Sequence, residues 1–209
     1  MRALPLLTAL AVLALAAPAH AATRSCLRDG AKLLAASGSV RVVSVKQKPS
    51  GNVTRRDRIY GCWVTTGRRF TMFESRDFGL DEIERDAFTI VDNRYAGALR
   101  DFEGGVSEAR SAATYDVKSR RPLHDSAACD NVDFGDFSGV EDVAFLPGGG
   151  LAYACGRLRI ADAKGDRELE PPGTVVRHLA VGDNSFGFRA RLYWTVVSGT
   201  TETLKSLDL

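Results

Sequence analysis

Residues 143–170 read VAFLPGGGLAYACGRLRIADAKGDRELE, and this stretch decides the fold class. Its apolar runs are too short for helices, and the Gly-rich and Asp/Lys/Gly breaks between them have the composition of turns. Short runs separated by such turns predict three or four antiparallel strands that follow one another as a meander.

The second half of this meander recurs, with changes, in three other stretches of the chain. They are RIYGCWVTTGRRFTMFES (58–75), SAATYDVKSRRPLHD (111–125) and ARLYWTVVSGTTETLKSL (190–207). The turns at Gly67, Ser119, Gly165 and Gly199 are separated by 52, 46 and 34 residues, around the spacing of four-stranded repeats. Because the last unit is short by about one strand, we expect the strand at 40–45 to complete it from the other end of the chain.

The turn segments IADAKG (160–165) and YDVKS (115–119) carry a resemblance to a known architecture. They resemble the outer hairpin of β-propeller blades of the WD40 and TolB-like kind, in which an aliphatic strand is followed by Asp, a turn and Gly. The resemblance covers residues 32–207 and implies an all-β, small β-propeller-like array of about four antiparallel meanders. It names an architecture and no function-bearing family, since there is no Trp-Asp dipeptide. A β-sandwich of similar strands is the alternative.

Residues 1–21 have the pattern of a cleaved signal peptide. A basic start is followed by an apolar run at 4–17 and by the small-x-small site Ala19-His20-Ala21. We therefore predict a single mature domain at 22–209, secreted or on the cell-envelope exterior, with no transmembrane segment after leader cleavage. The formal net charge of +2 predicts no nucleic-acid partner.

Four cysteines follow the leader, and an even number in an exported chain predicts two disulfides. Three pairings are open. We favour Cys26 with Cys62 and Cys129 with Cys155, because these close the shorter loops. A catalytic or redox thiol is the less favoured interpretation, and the spacing does not fit a zinc site.

Charge is distributed unevenly along the chain, which points to candidate binding loops. The region 23–70 is basic, whereas the connectors at 75–86 and 125–142 are acidic. We expect the loop at 46–58 and both acidic connectors to form one mixed-charge mouth at the same end of the sheets. The candidate binding residues are Arg55, Arg56, Asp133, Phe134, Asp136 and Phe137. Calcium would suit such loops, but solvated acidic loops are the simpler interpretation, so no cofactor is predicted.

Trp63 and Trp194 each precede a turn glycine and are predicted to occupy equivalent positions between repeats. Packing between sheets is favoured over stacking on a sugar ring.

The most favoured function is a non-catalytic module that binds an unknown extracellular or envelope ligand through loops at one end of the fold. No residue is assigned a catalytic role: His124 and His178 lie in or beside strands, and no GxSxG motif occurs. One alternative is a secreted hydrolase that acts on a polymer, which would require two carboxyl groups facing each other across a cleft. The other is a structural component of the envelope.

Overall fold

In a computed structural model, residues 26–77, 82–104, 107–129, 133–134, 137–183 and 190–209 are described. They form an all-β, propeller-like array of four successive antiparallel meanders, which confirms the predicted fold class. Each meander is one sheet, and each is formed from a continuous part of the chain.

The first sheet follows the order of its strands along the chain. Its strands are β1 (Lys32–Ser37), β2 (Val40–Gln47), β3 (Arg55–Trp63) and β4 (Arg68–Asp77). The second sheet is formed by β5 (Glu82–Val91), β6 (Tyr95–Gly104), β7 (Ser107–Asp116) and β8 (Arg121–Asp125). Two short strands, β9 (Asp133–Phe134) and β10 (Phe137–Gly139), extend it, with β10 parallel to the start of β7.

The third sheet is the meander on which the prediction was based. Its strands are β11 (Asp142–Phe145), β12 (Leu151–Ala154), β13 (Leu158–Asp162) and β14 (Gly165–Glu170). The fourth sheet has three strands, β15 (Val175–Asp183), β16 (Ala190–Ser198) and β17 (Thr201–Asp208). Two 3₁₀ turns, Ala127–Cys129 and Pro147–Gly149, join strands.

A separate hydrophobic core fills each space between successive sheets. Val42, Ile59 and Ala96 lie in the core between the first and second sheets. Strand β12 then serves two cores, because alternate residues of a strand point to opposite faces. Its Leu151 and Tyr153 belong to the core shared with the second sheet. The other buried residues of that core are Ala112, Cys129, Val140 and Cys155. Its Ala152 and Ala154 lie in the core shared with the fourth sheet, beside Leu192 and Trp194.

Both predicted disulfides are present, and they join Cys26 to Cys62 and Cys129 to Cys155. Each pair has a Cα–Cα distance of 5.8 Å. The first disulfide fixes the start of the described chain to β3, and the second fixes the 3₁₀ turn after β8 to the end of β12. Two disulfides are typical of a chain that folds in an oxidising compartment. Among the described residues, no helix is long and apolar enough to cross a membrane.

Two expectations about the strands are wrong. The strand at 40–45 does not complete the fourth sheet, because it is part of β2 and both of its edges are paired, to β1 and β3. The connector expected at 75–86 is mostly strand, since β4 continues to Asp77 and β5 begins at Glu82.

Trp63 and Trp194 lie in different surroundings, so their predicted equivalence is also wrong. Trp63 is half-buried at the end of β3, beside the turn, with the Lys118 ammonium 6.0 Å from its ring centroid. Trp194 is buried within β16, and its Nε1 donates to Glu170 Oε1 at 2.9 Å. Their positions are therefore not equivalent, but the predicted packing between sheets is confirmed, because each tryptophan packs in or against an inter-sheet core.

Candidate functional site

A cleft of about 740 Å³ opens between the first sheet and β5, at the end where the intervening core becomes polar. We call it the inter-sheet cleft. Its floor includes the apolar side chains of Leu34, Ile59 and Phe88. Its polar lining includes Lys32, Lys46, Arg55, Asp57, Ser75 and Asp86.

Strand periodicity explains why these polar groups meet on an otherwise apolar face. Asp57 and Ile59 are two residues apart on β3, so they share the face that is turned toward the second sheet. Asp57 pairs with Lys46 on β2 and with Ser75 on β4. A polar row thus crosses three strands directly beside the hydrophobic core.

Asp57 is the most unusual residue of the cleft. It is only 3% exposed. Its Oδ2 accepts hydrogen bonds from Arg55 Nε at 2.8 Å and Arg55 Nη2 at 2.6 Å. Its Oδ1 is buried and accepts no hydrogen bond from a described residue. A buried acceptor left without a donor typically costs about 1–3 kcal/mol, so Oδ1 would be stabilised by a donor that the described residues do not supply.

Asp86 places a second carboxyl group in the same cleft. Burial raises its pKa, the Ser75 hydroxyl lowers it by a hydrogen bond, and the charge of Glu84 raises it again. Its Oδ1 lies 3.6 Å from Arg100 Nε, too far for a hydrogen bond, and neither atom has a hydrogen-bond partner among the described residues. The Arg100 guanidinium is instead paired with Glu84. The charged form of Asp86 is therefore less favourable than that of a carboxylate at the surface.

Two ammonium groups complete the lining. Lys32 and Lys46 are exposed side chains of the cleft, and neither forms an ion pair with another described residue. The cleft thus offers hydrogen-bond acceptors deep inside, charged donors from exposed side chains and an apolar floor. A small molecule with both donor and acceptor groups would be complemented by this arrangement.

No family model, curated protein or solved structure matches this chain. Function is therefore inferred from the chemistry of the cleft and of the surfaces around it.

The residues predicted as binding loops are only partly brought together. Arg55 and Arg56 lie within β3 rather than in a loop, and they face opposite sides of the first sheet because they are consecutive in a strand. Arg55 reaches Asp57 in the cleft, whereas Arg56 pairs with Glu74 on the outer face. These two arginines therefore belong to different surfaces.

The other predicted residues are associated with the second sheet. Asp133 and Phe134 form β9, Phe137 begins β10, and Asp136 lies outside the described residues. Because β10 pairs with the start of β7, these strands lie at the end of the second sheet where β5 begins. Strand β4 also ends there, so Arg55 and β9 lie at corresponding ends of neighbouring sheets. Within the described ranges, no group of three or more His, Cys, Asp or Glu residues could hold a metal ion.

Sequence reasoning missed Asp57, Ser75 and Asp86. Ser75 and Asp86 were assigned to a connector, because the charges of 75–86 conceal the strand pattern. A signal for Asp57 was present in the sequence RRDRIYG (55–61). There Asp57, Ile59 and Gly61 alternate with bulky polar residues, which places a lone carboxylate on the face that Ile59 buries.

Proposed function

We propose that this protein is an exported, non-catalytic binding protein that holds a small, polar ligand in the inter-sheet cleft. The observation that carries the proposal is Asp57, which lines a cleft large enough for a small molecule and whose buried Oδ1 has no donor among the described residues. The ligand is expected to carry several hydroxyl or ammonium donors, as sugars, amino sugars, amino acids and polyamines do.

The energetics favour a ligand over an empty cleft. A donor placed on Asp57 Oδ1 would remove the desolvation penalty that the folded protein otherwise retains. Lys32 and Lys46 supply charged donors for acceptor groups of the same ligand, and Phe88 and Ile59 provide an apolar surface for its carbon atoms. Export is supported by the predicted leader and by the two disulfides.

The test is a thermal-shift screen of the wild type with D-glucose, D-glucosamine, spermidine and L-lysine. A probe present at 100 times its Kd should stabilise the protein by about 2.7 kcal/mol, which is roughly 5–10 °C in Tm for a chain of this size. We expect the shift to disappear in Asp57→Asn. The one oxygen of the amide would accept from Arg55, and the NH2 group in place of Oδ1 cannot accept a hydrogen bond from the ligand.

The matched control is Asp116→Asn. Asp116 is also a buried carboxylate paired with an arginine, Arg94, but it does not line the cleft. This variant should keep the ligand-induced shift even if its own Tm is lower. A shift of equal size in Asp57→Asn, or no shift of the wild type with any probe, would contradict the proposal.

A hydrolase is the second candidate, and one observation favours it. Asp57 is ion-paired with Arg55, while burial raises the pKa of Asp86 in the same cleft. Two carboxyl groups in different electrostatic environments are what an acid and base pair requires. Release of reducing ends from a soluble polysaccharide by the wild type and Asp116→Asn, but not by Asp86→Asn, would favour hydrolysis over binding alone.

A further inference from the structure

The outer face of the first sheet carries a cluster of cations that the inter-sheet cleft does not use. Arg56, Arg58 and Arg76, here called the arginine triad, converge on the single carboxylate of Glu74. Arg56 donates to Oε2 from Nε at 3.1 Å and from Nη2 at 2.7 Å. Arg58 donates to Oε1 from the same two atoms at 3.1 and 2.8 Å. Arg76 Nη2 donates to Oε2 at 3.1 Å.

The strand register makes this cluster costly if pairing is its only role. Arg58 lies directly opposite Glu74, which is a favourable cross-strand pair, but Arg56 lies directly opposite Arg76. Like charges at directly opposed positions of an antiparallel pair are destabilising. The triad therefore keeps two more positive charges than Glu74 neutralises, and it does so against local repulsion.

Glu74 orients the three arginines but neutralises only part of their positive charge. Hydrogen bonds from Arg58, Arg56 and Arg76, in that order of effect, lower the pKa of Glu74 to about 2. The carboxylate is consequently charged over the whole physiological range and keeps the guanidiniums oriented. Nη1 of Arg56, and Nε and Nη1 of Arg76, form no hydrogen bond with another described residue. These donors remain for an external anion.

A groove of about 440 Å³ adjoins the triad at Arg76. Its lining consists of Arg76, Glu74, Arg100, Glu84, Phe73 and Phe102. Glu84 is already paired with Arg100, so Arg76 supplies the unpaired donors of the groove. The Arg100 guanidinium lies 4.4 Å from the centroid of the Phe73 ring. Aromatic side chains beside oriented guanidiniums complement a ring that carries an acidic group.

We propose that the arginine triad and this groove bind an acidic polysaccharide. Its carboxylate or sulfate groups would lie on the free guanidinium donors, and a sugar ring would lie against Phe102. The number of cations favours this partner over other polyanions. Nucleic-acid binding typically uses about 6–10 phosphate contacts, and recognition of anionic membranes uses clusters of about 4–8 basic residues. A triad on a chain with a net charge of +2 provides fewer.

The test is isothermal titration with heparin, which is sulfated, with polygalacturonate, which is carboxylated, and with neutral dextran, at several salt concentrations. We expect the wild type to bind at least one of the two acidic polymers and not dextran, with an affinity that falls as salt rises. Arg76→Gln removes two free donors and a positive charge, and Arg58→Gln removes a positive charge of the triad, so each should weaken binding by at least about tenfold.

Arg167→Gln is the matched control. Arg167 is 33% exposed and pairs with Asp162 at 19%, against 36% for Arg58 and 20% for Glu74, but it lies in β14 of the third sheet. Its loss should leave binding unchanged. Glu74→Gln provides the opposite test. It keeps an oxygen that can accept from the arginines but removes the negative charge, so binding of the acidic polymer should tighten. If the cluster were purely structural, this change would lower the free energy of unfolding without increasing the affinity for the polymer.

Preference for heparin or for polygalacturonate identifies which acidic group is recognised, and either result supports the proposal. It is overturned if neither polymer binds at low salt, or if Arg167→Gln loses as much affinity as Arg58→Gln. Tighter binding to duplex DNA or to phosphatidylserine vesicles than to both polymers would also overturn it. Because these variants do not touch Asp57, failure here leaves the proposal for the inter-sheet cleft untouched.

Discussion

Two buried aspartates show what a single side chain can add to this fold. Asp116 is fully engaged: Arg94 donates to both of its oxygens, and the Ser119 backbone N–H and hydroxyl also donate to it. Asp57 is also paired with an arginine, but both hydrogen bonds from Arg55 go to Oδ2 and Oδ1 has no donor among the described residues. Both residues stand in strand-forming sequence, but Asp116 ends its strand and is followed by a turn whose Ser119 donates to it, whereas Asp57 lies inside β3. The difference depends on which groups the neighbouring strands bring close, so the sequence could predict the strands but not the site.

The pH dependence of stability should reveal Asp116. Burial alone would raise its pKa, but hydrogen bonds from Arg94 and Ser119 outweigh burial and lower the pKa from 3.8 to about 2. Its stabilising contribution is therefore complete above the unfolded value and is lost as pH falls from about 4 to about 2. We expect a loss on the order of 2 kcal/mol over this range that is absent from Asp116→Asn. Urea unfolding at a series of pH values measures this loss. The prediction is refuted if the free energy of unfolding falls equally with pH in the wild type and in Asp116→Asn.

At the scale of elements, turns were predicted more reliably than charged strands. Gly67 and Gly199 have positive φ angles of 63° and 59°, which glycine adopts without strain, and both hairpins form where they were expected. The first half of β5 was assigned to a connector because Glu84 and Asp86 occupy inward positions that an apolar residue normally fills. Carboxylates at these positions remove the alternation of apolar and polar residues by which a strand is recognised. The segment that was wrongly predicted as a connector therefore lines the inter-sheet cleft.

The link between β14 and the fourth sheet depends on one buried carboxylate. Glu170, at the end of β14, accepts hydrogen bonds from Trp194 Nε1 at 2.9 Å and from Lys205 Nζ at 2.7 and 2.9 Å. Glu170→Gln should reduce the free energy of unfolding by about 1–3 kcal/mol, because the amide cannot accept all of these bonds.

Chemical denaturation with urea would measure this loss. Glu168→Gln is the comparison, since Glu168 lies in the same strand and its one ion pair with a described residue is a long one, 3.9 Å, to Arg157. That change should stay within about 0.5 kcal/mol of the wild type. Equal effects of the two substitutions would show that the Glu170 contacts do not stabilise the interface.

At the scale of the whole molecule, four sheets form a series in which contacts join the first to the second, the second to the third and the third to the fourth. The number of meanders could be predicted from the turn spacing, because each turn is a local feature. The expected completion of the fourth sheet was wrong, because β2 forms a local hairpin with β1 across Gly38-Ser39 and its other edge is paired with β3. Turn spacing does not specify whether strands from the two ends of the chain pair with each other.

Local stability should follow this series. All four residues of β12 are buried between two neighbouring sheets, whereas β17 is an edge strand whose Leu204 is 70% exposed. We expect amide hydrogen exchange to be slowest in β12, with protection near the global free energy of unfolding, and fastest among the paired strands in β17. Equal protection of β12 and β17 by mass spectrometry would show that the array opens only as one unit.

The attachment of the chain ends has a mechanical consequence. The Cys26–Cys62 disulfide fixes one end of the described chain to the first sheet, and the Leu209 backbone N–H, hydrogen-bonded to the Ala190 carbonyl, fixes the other end to the fourth. Tension applied between the ends would therefore pass through the three interfaces one after another. The weakest interface would part first, and the remaining sheets would stay folded as a shorter stack, so extension would proceed in steps rather than in a single rupture.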